Sequence, residues 1–230
     1  MRLELEHNCK DFDGYRASRV KSMFNAESGH TWKKTVDLDL PEKWQIGLIV
    51  GQSGSGKTTL GKRIFNTNKV LDLYEGWDES KPIIEDIIPE GDFNAVTASL
   101  AGVGLGDVPS WLRPFKALSN GQKFRAGLAR VLSDPPGEAV IDEFTSVVDR
   151  QIAKVGAMAF GKSWRRTKSK KAVLLSCHYD VIEWLQPDWV YNMDTNHLKK
   201  KMKSRKDPKS NLTFGRSTEL IGKNLKSITI

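Results

Sequence analysis

The stretch Trp44-Gln45-Ile46-Gly47-Leu48-Ile49-Val50 runs directly into Gly51-Gln52-Ser53-Gly54-Ser55-Gly56-Lys57-Thr58-Thr59. A short apolar, β-branched run of this kind suits a buried strand, and the glycines end it abruptly. From Lys57 to Phe65 the composition suits a helix. Strand, glycine loop and helix in that order are the context of a phosphate-binding loop, and Gly51-x4-Gly56-Lys57-Thr58 fits the Walker A pattern without a mismatch. Glycines let the backbone curl so that several N–H groups meet a phosphate, and the helix N-terminus adds the positive end of its dipole. On this reading Gly51, Ser53, Gly54, Ser55, Gly56, Lys57, Thr58 and Thr59 hold a triphosphate. Lys57 reaches the β- and γ-phosphates, and the Thr58 hydroxyl joins the magnesium shell.

Upstream, Lys34 to Pro41 alternates Val36, Leu38 and Leu40 with polar neighbours and predicts a half-buried strand, while the first 30 residues carry no clear periodicity. Downstream, the prolines at 82, 89, 109 and 114 and a helix expected around Asp92 to Leu100 suggest a small helical lobe inserted over about 77–133. Asn120 to Leu132 reads as an amphipathic helix with Phe124, Leu128 and Val131 on one face, capped by Ser119 and stopped by Asp134-Pro135-Pro136-Gly137. A buried strand Glu138 to Ile141 follows, then a helix from Asp149 to about Lys168. A strand Ala172 to Cys177, a short helix near Asp180 to Leu185 and a strand Trp189 to Met193 complete the series. Strands alternating with helices predict an α/β fold, a mostly parallel sheet covered by helices.

The 230 residues, 39% apolar, suffice for one domain with an appendage, expected as a domain over 1–196 and a basic tail over 197–230. The net charge of +8 belongs to that tail. It holds Lys199, Lys200, Lys201, Lys203, Arg205, Lys206, Lys209, Arg216, Lys223 and Lys226 against Asp207 and Glu219, so the rest of the chain is balanced. Such a segment neutralises phosphates of nucleic acid, or it simply solubilises the chain end. No run approaches the ~18 apolar residues of a membrane span, and the start lacks the apolar stretch of a secretory signal, so a cytoplasmic chain without membrane contact is expected. Cys9 and Cys177 lack CxxC spacing, which argues against a disulfide framework or a cysteine zinc site.

Ala139-Val140-Ile141-Asp142-Glu143 is an apolar strand ending in two acids, and in a parallel sheet the strand ends converge on the ligand side of the phosphate loop. Asp142 would hold Mg²⁺ through water, and Glu143 would polarise the attacking water. Leu118-Ser119-Asn120-Gly121-Gln122 is a serine-capped helix start and hence another anion-binding N-terminus; most such caps bind nothing.

Together, GQSGSGKTT, LSNGQ, VIDEF, TSVVD and SCHYD, in that order, resemble the motifs of the ATP-binding cassette (ABC) ATPases. The resemblance implies that Lys57, Glu143 and His178 carry hydrolysis of ATP, with His178 as the switch histidine at the γ-phosphate, and that Thr58 and Asp142 serve the metal. It also implies that Ser146 and Asp149 form the D-loop. In that family two cassettes face head to tail, so Ser119, Asn120, Gly121 and Gln122 would complete the site of a second copy. An ATP-gated homodimer is the expected state.

The chain departs from the pattern in three places. Asn120 stands where glycine is usual, and Phe144 where proline is common. No Gln lies between Gln52 and Gln122, so the Q-loop glutamine is absent, with Glu85 or Asp86 as candidate replacements. That absence and the short lobe argue against a transporter subunit. Phe24 and Trp32 are candidates to stack on adenine, or are simply core. WQIGLIVGQSGSGKTT, VPSWLRPFKALSNGQKFRAGLARVL, DEFTSVVDR and SCHYDVIEWLQPDWVYNMDT look similar to a prokaryotic and phage group of soluble ABC ATPases often fused to a GNAT acetyltransferase domain. That domain is absent here, so a separate acetyltransferase-like or other partner protein is implied. The expected function is Mg-dependent ATP hydrolysis, with action on nucleic acid or a DNA-associated partner. The alternative is a slow-turnover, ATP-dependent scaffold that regulates a partner enzyme.

Overall fold

A computed structural model describes residues 1–27 and 31–201. The sheet is built outward from β3 (Ile46–Val50), whose five residues are all buried. It pairs in parallel on one side with β5 (Lys171–Ser176) and on the other with β6 (Trp189–Asn192). A strand covered on both faces needs apolar residues at every position, which is why this stretch shows no alternation. Outside these, β4 (Glu138–Ile141) pairs in parallel with β5, and β7 (His197–Lys200) pairs antiparallel with β6, giving the order β4-β5-β3-β6-β7. The fold is the α/β, mostly parallel arrangement that the sequence predicts. The C-terminal ends of β3, β4 and β5 share one edge, and from it emerge the loops beginning at 51, 142 and 177.

Helices cover both faces. On one lie α6 (Asn120–Ser133), α7 (Arg150–Trp164) and the small helices of the lobe: α3 (Ile83–Asp86), α4 (Phe93–Gly102) and α5 (Val108–Trp111). Their core includes a chain of rings, Phe124 to Phe144 to Phe160 to Trp164, with centroids 5.4–5.9 Å apart. On the other face, α2 (Lys57–Ile64) and the antiparallel hairpin β1 (Arg2–Asn8) with β2 (Thr31–Asp37) enclose Leu5, Val36, Leu38, Leu60, Trp189 and Tyr191. Each large side chain buried in this way contributes about 1.5–3 kcal/mol of transfer free energy.

Four expectations change. The N-terminal region contains β1, whose Leu3 and Leu5 alternate with charged neighbours, and the strand expected over 34–41 begins at Thr31, in a register that sets Asn8 opposite Thr31 and Arg2 opposite Asp37. Between them, α1 (Tyr15–Phe24) buries no residue, and its apolar Val20, Met23 and Phe24 are exposed. The helix expected to reach Lys168 ends at Trp164 and passes into a 3₁₀ turn over 165–167. The domain boundary expected at 196 falls inside the β6–β7 hairpin: Lys200 Nζ donates to Asp39 at 2.6 Å and the Lys201 N–H to the Asp188 carbonyl at 2.8 Å. The first residues of the basic stretch therefore belong to the sheet, and Lys203 onward lies outside the described residues.

Candidate nucleotide site at the sheet edge

The glycine loop adopts the backbone its composition permits: Gly54 and Gly56 have φ of +76° and +92°, the region that favours glycine. Lys57 Nζ donates to the carbonyls of Gly51 (2.9 Å) and Gln52 (2.7 Å), which places the ammonium across the mouth of the loop. Ser53 is exposed, Ser55 and Thr59 are half-buried, and the Ser55 hydroxyl is enclosed without a hydrogen-bond partner. A polar atom left in that state beside a turn of N–H groups is consistent with a ligand that arrives there.

From β4, Asp142 Oδ2 accepts the Thr58 hydroxyl at 2.7 Å, and its other oxygen accepts the Glu143 N–H at 2.8 Å. Glu143 is exposed with φ +49°, and Thr145 is buried with φ +72°. Left-handed backbone in non-glycine residues costs on the order of 1 kcal/mol or more, so both residues flanking Phe144 are strained. Phe144 explains its own departure from proline: its N–H donates to the Leu175 carbonyl at 2.9 Å, a bond proline cannot make, while its ring sits between Phe124 and Phe160.

His178 follows β5, which lies between β3 and β4, so the fold brings it to the same edge as Lys57 and Glu143. It is half-buried, and its N–H donates to Ser176 Oγ at 3.1 Å. The next residue makes a link that the sequence did not reveal. Tyr179 Oη donates to Asp194 Oδ2 at 2.6 Å, and Asp194 Oδ1 accepts the Gln52 N–H of the loop at 3.2 Å. The Tyr179 hydroxyl, then the Gln52 amide, hold the Asp194 carboxyl below its ordinary value.

Ser119 and Gln122 form a reciprocal capping box, and Gln122 Nε2 also donates to Ser110 Oγ at 2.7 Å on α5. Ser119 and Asn120 are exposed, whereas Gly121 is buried. A Cβ at Gly121 would come within 2.5 Å of Ile152 Cδ1 on α7, so close helix packing accounts for glycine there. In the segment expected as the D-loop, Asp149 Oδ1 accepts the Gln151 and Ile152 N–H groups and caps α7, and the Ser146 N–H donates to the Glu143 carbonyl at 3.0 Å. Arg150 pairs with Asp180, which ties the start of α7 to the segment after His178.

Of the adenine candidates, Phe24 is 72% exposed on α1, while Trp32 reaches the loop: a Cβ at Gly56 would lie 2.7 Å from its ring. The candidates suggested for the missing glutamine lie on α3. Asp86 is buried in α3, where Oδ2 accepts the Asp78 N–H at 2.8 Å, and Glu85 is its neighbour on the same short helix. The segment that does adjoin Asp142 is Val70–Gly76, since the Asp142 N–H donates to the Leu71 carbonyl at 3.3 Å.

The donor set suits magnesium, a hard cation that takes few protein oxygens and keeps phosphate and water in its shell. Thr58 and Asp142 supply such oxygens side by side, and among the described residues no group of three or more His, Cys, Asp or Glu forms a separate metal cage. No described helix is long and apolar enough to cross a membrane.

The fold is the one that ABC cassettes share. Solved structures carry the same fold: a dimer of MJ0796, a bacterial ABC transporter cassette, matches with a TM-score of 0.56 at 15% identity over 84% of this chain and 94% of that one. MJ0796 as a dimer in a post-hydrolysis state bound to ADP and Pi matches with a TM-score of 0.58 at 14% identity over 87% and 98%. An inward-facing ABC transporter described as of metal-chelate type matches with a TM-score of 0.53 at 14% identity over 86% and 82%. No family model matches the chain, and no curated protein does. The short lobe and the missing glutamine thus do not separate this fold from that of transporter cassettes.

Proposed function

We propose that the chain binds Mg-ATP and hydrolyses it to ADP and phosphate as an ATP-gated homodimer. The observation that carries this reading is the convergence of Lys57, Thr58, Asp142, Glu143 and His178 at one sheet edge, with Thr58 and Asp142 bonded at 2.7 Å. Loop N–H groups and Lys57 hold the phosphates, and Trp32 presents its ring to the base. Glu143 accepts a proton from water as the water oxygen bonds to the γ-phosphorus and the bond to the β,γ-bridging oxygen breaks. His178 contacts the γ-phosphate. Thr58 and Asp142 would hold magnesium, which would supply charge neutralisation at the phosphates. The exposed Ser119 and Asn120 at the N-terminus of α6 meet the phosphates of a second copy.

Gating from 1:99 open to 99:1 closed requires ATP to favour the closed dimer by about 10⁴-fold, which two buried nucleotides can supply. Light scattering of Glu143→Gln with and without Mg-ATP tests this reading. A monomer-to-dimer shift is expected, and a chain that remains monomeric with ATP bound refutes the homodimer. Wild type that binds ATP without turnover in a single-turnover assay would replace the enzyme by a nucleotide-gated scaffold.

We place the output on nucleic acid or a partner bound to it, on the strength of the basic residues from Lys199 onward. Binding to duplex DNA should fall steeply with salt. A second reading, the ATPase subunit of a transporter, is favoured by the nature of the solved structures that share the fold; recovery of the chain from washed membranes would support it. A separate acetyltransferase-like partner would appear as a co-purifying chain.

A further inference from the structure

Beside Glu143 lies a segment with no recognisable motif. Val70–Gly76 follows the outer edge of β4: Leu71 pairs in parallel with Ile141, its N–H donating to the Val140 carbonyl at 2.7 Å. That register carries Asp72, Leu73 and Tyr74 past the end of the strand that bears Asp142 and Glu143. Asp72 Oδ1 accepts the Tyr74 N–H at 2.7 Å, and Trp77 Nε1 donates to the Leu73 carbonyl at 3.1 Å, so the segment is held at both ends. Its other side meets the signature helix, for a Cβ at Gly127 would come within 2.5 Å of the Leu73 carbonyl oxygen.

The Tyr74 side chain is half-buried, yet its hydroxyl is enclosed and has no hydrogen-bond partner. Enclosed hydroxyls are nearly always bonded, and an orphan at the rim of a reactive site marks a place where a ligand or a repositioned side chain supplies the partner. Burial, then the charges of Asp72 and Glu143, push the phenol well above its ordinary value. The neutral form is therefore favoured, and the oxygen keeps a proton to donate. Glu143 is the natural acceptor. It follows the strand that Leu71 pairs with, its backbone is fixed by its own bond to Asp142, and its carboxylate is exposed.

We propose that Tyr74 is a positioning residue for hydrolysis: its hydroxyl donates to the Glu143 carboxylate and holds it toward the attacking water. This deepens the ATPase reading and rests on it.

The test compares Tyr74→Phe, which keeps the ring, with Tyr74→Gln, which removes the ring and keeps a donor. Single-turnover and steady-state ATP hydrolysis, ATP affinity and melting temperature are measured on the full chain, with Glu143→Gln in parallel. In Tyr74→Phe the maximal turnover rate should fall by roughly 10-fold or more while KM, ATP affinity and melting temperature stay unchanged, and Tyr74→Gln should turn over faster than Tyr74→Phe. Wild-type turnover in Tyr74→Phe, a loss that tracks ATP affinity or melting temperature, or the reverse ranking overturns the assignment. If Glu143→Gln is inactive while Tyr74→Phe is normal, only the Tyr74 assignment fails. If Glu143→Gln turns over like wild type, the ATPase reading falls and takes this proposal with it.

Discussion

At the sheet edge, Lys57, Thr58, Asp142 and Glu143 converge on a common space from two distant segments, with Thr58 and Asp142 bonded across 84 positions of chain. Ser119 to Gln122, by contrast, are four consecutive residues engaged mainly with their own surroundings: Ser119 and Gln122 cap their own helix, Gln122 reaches α5, and Gly121 is buried under Ile152. The first group is a set of tools held by a fold. The second is an exposed helix N-terminus held by its own cap. Substitutions in the first should therefore act on chemistry with little effect on folding, and those in the second on folding and geometry together.

The sharpest division comes from Glu143→Gln, expected to lower single-turnover hydrolysis by about 10²–10⁴-fold while leaving ATP binding and melting temperature close to wild type. A loss of stability of similar size in that variant would erase the contrast. Next comes Gly121→Val on the signature side, where the added methyls meet Ile152. Urea unfolding should show a loss of about 1–3 kcal/mol, with the midpoint lowered and the slope unchanged. Asp149→Ala removes the cap of α7 and should cost about 1 kcal/mol by the same measurement. Since α7 also packs against Gly121, a double variant with Gly121→Val should show non-additive losses.

The smallest effect is confined to acid. Asp194 is depressed below its ordinary 3.8 in the folded chain, so its contribution to stability is present above that value and is lost as pH falls toward the folded value. Melting temperature followed from about pH 6 downward should therefore fall more steeply in wild type than in Asp194→Asn, with the divergence beginning below about pH 4. Tyr179→Phe removes the largest cause of the depression, brings the folded value closer to the unfolded one and should shrink that divergence. Parallel curves would show that the Tyr179–Asp194–Gln52 link does not hold the loop in solution.

Local signals were legible wherever one face was buried or one backbone was required. The all-apolar run into a glycine loop, the Ser119 cap, the strand ending in Asp142 and Glu143, and the helix after Asp149 each carry their reason in adjacent residues, and all are found in place. The N-terminal helix could not be read because it buries nothing, and β7 could not because His197–Lys200 has one half-buried residue and three exposed ones. Leu3 and Leu5 did carry an alternating signal, only too short to stand out. The neighbours of Glu143 were hidden for another reason. Leu71 meets Ile141 across 70 positions of chain, and nothing in Val70–Gly76 announces that pairing. Trp32 could not be told from Phe24 until the hairpin register set it over the glycine loop.

The outermost strand gives the lysines at its end a second use. An open sheet offers unpaired backbone groups at each border, an invitation to another strand and thence to aggregation. Here one border is sealed by Leu71 against Ile141, and the other is a four-residue strand carrying Lys199 and Lys200 with Lys201 just beyond. Short length and crowded positive charge make that border a poor template for a fibril. Even before any of these lysines meets a phosphate, they help to keep one molecule's sheet from extending into the next.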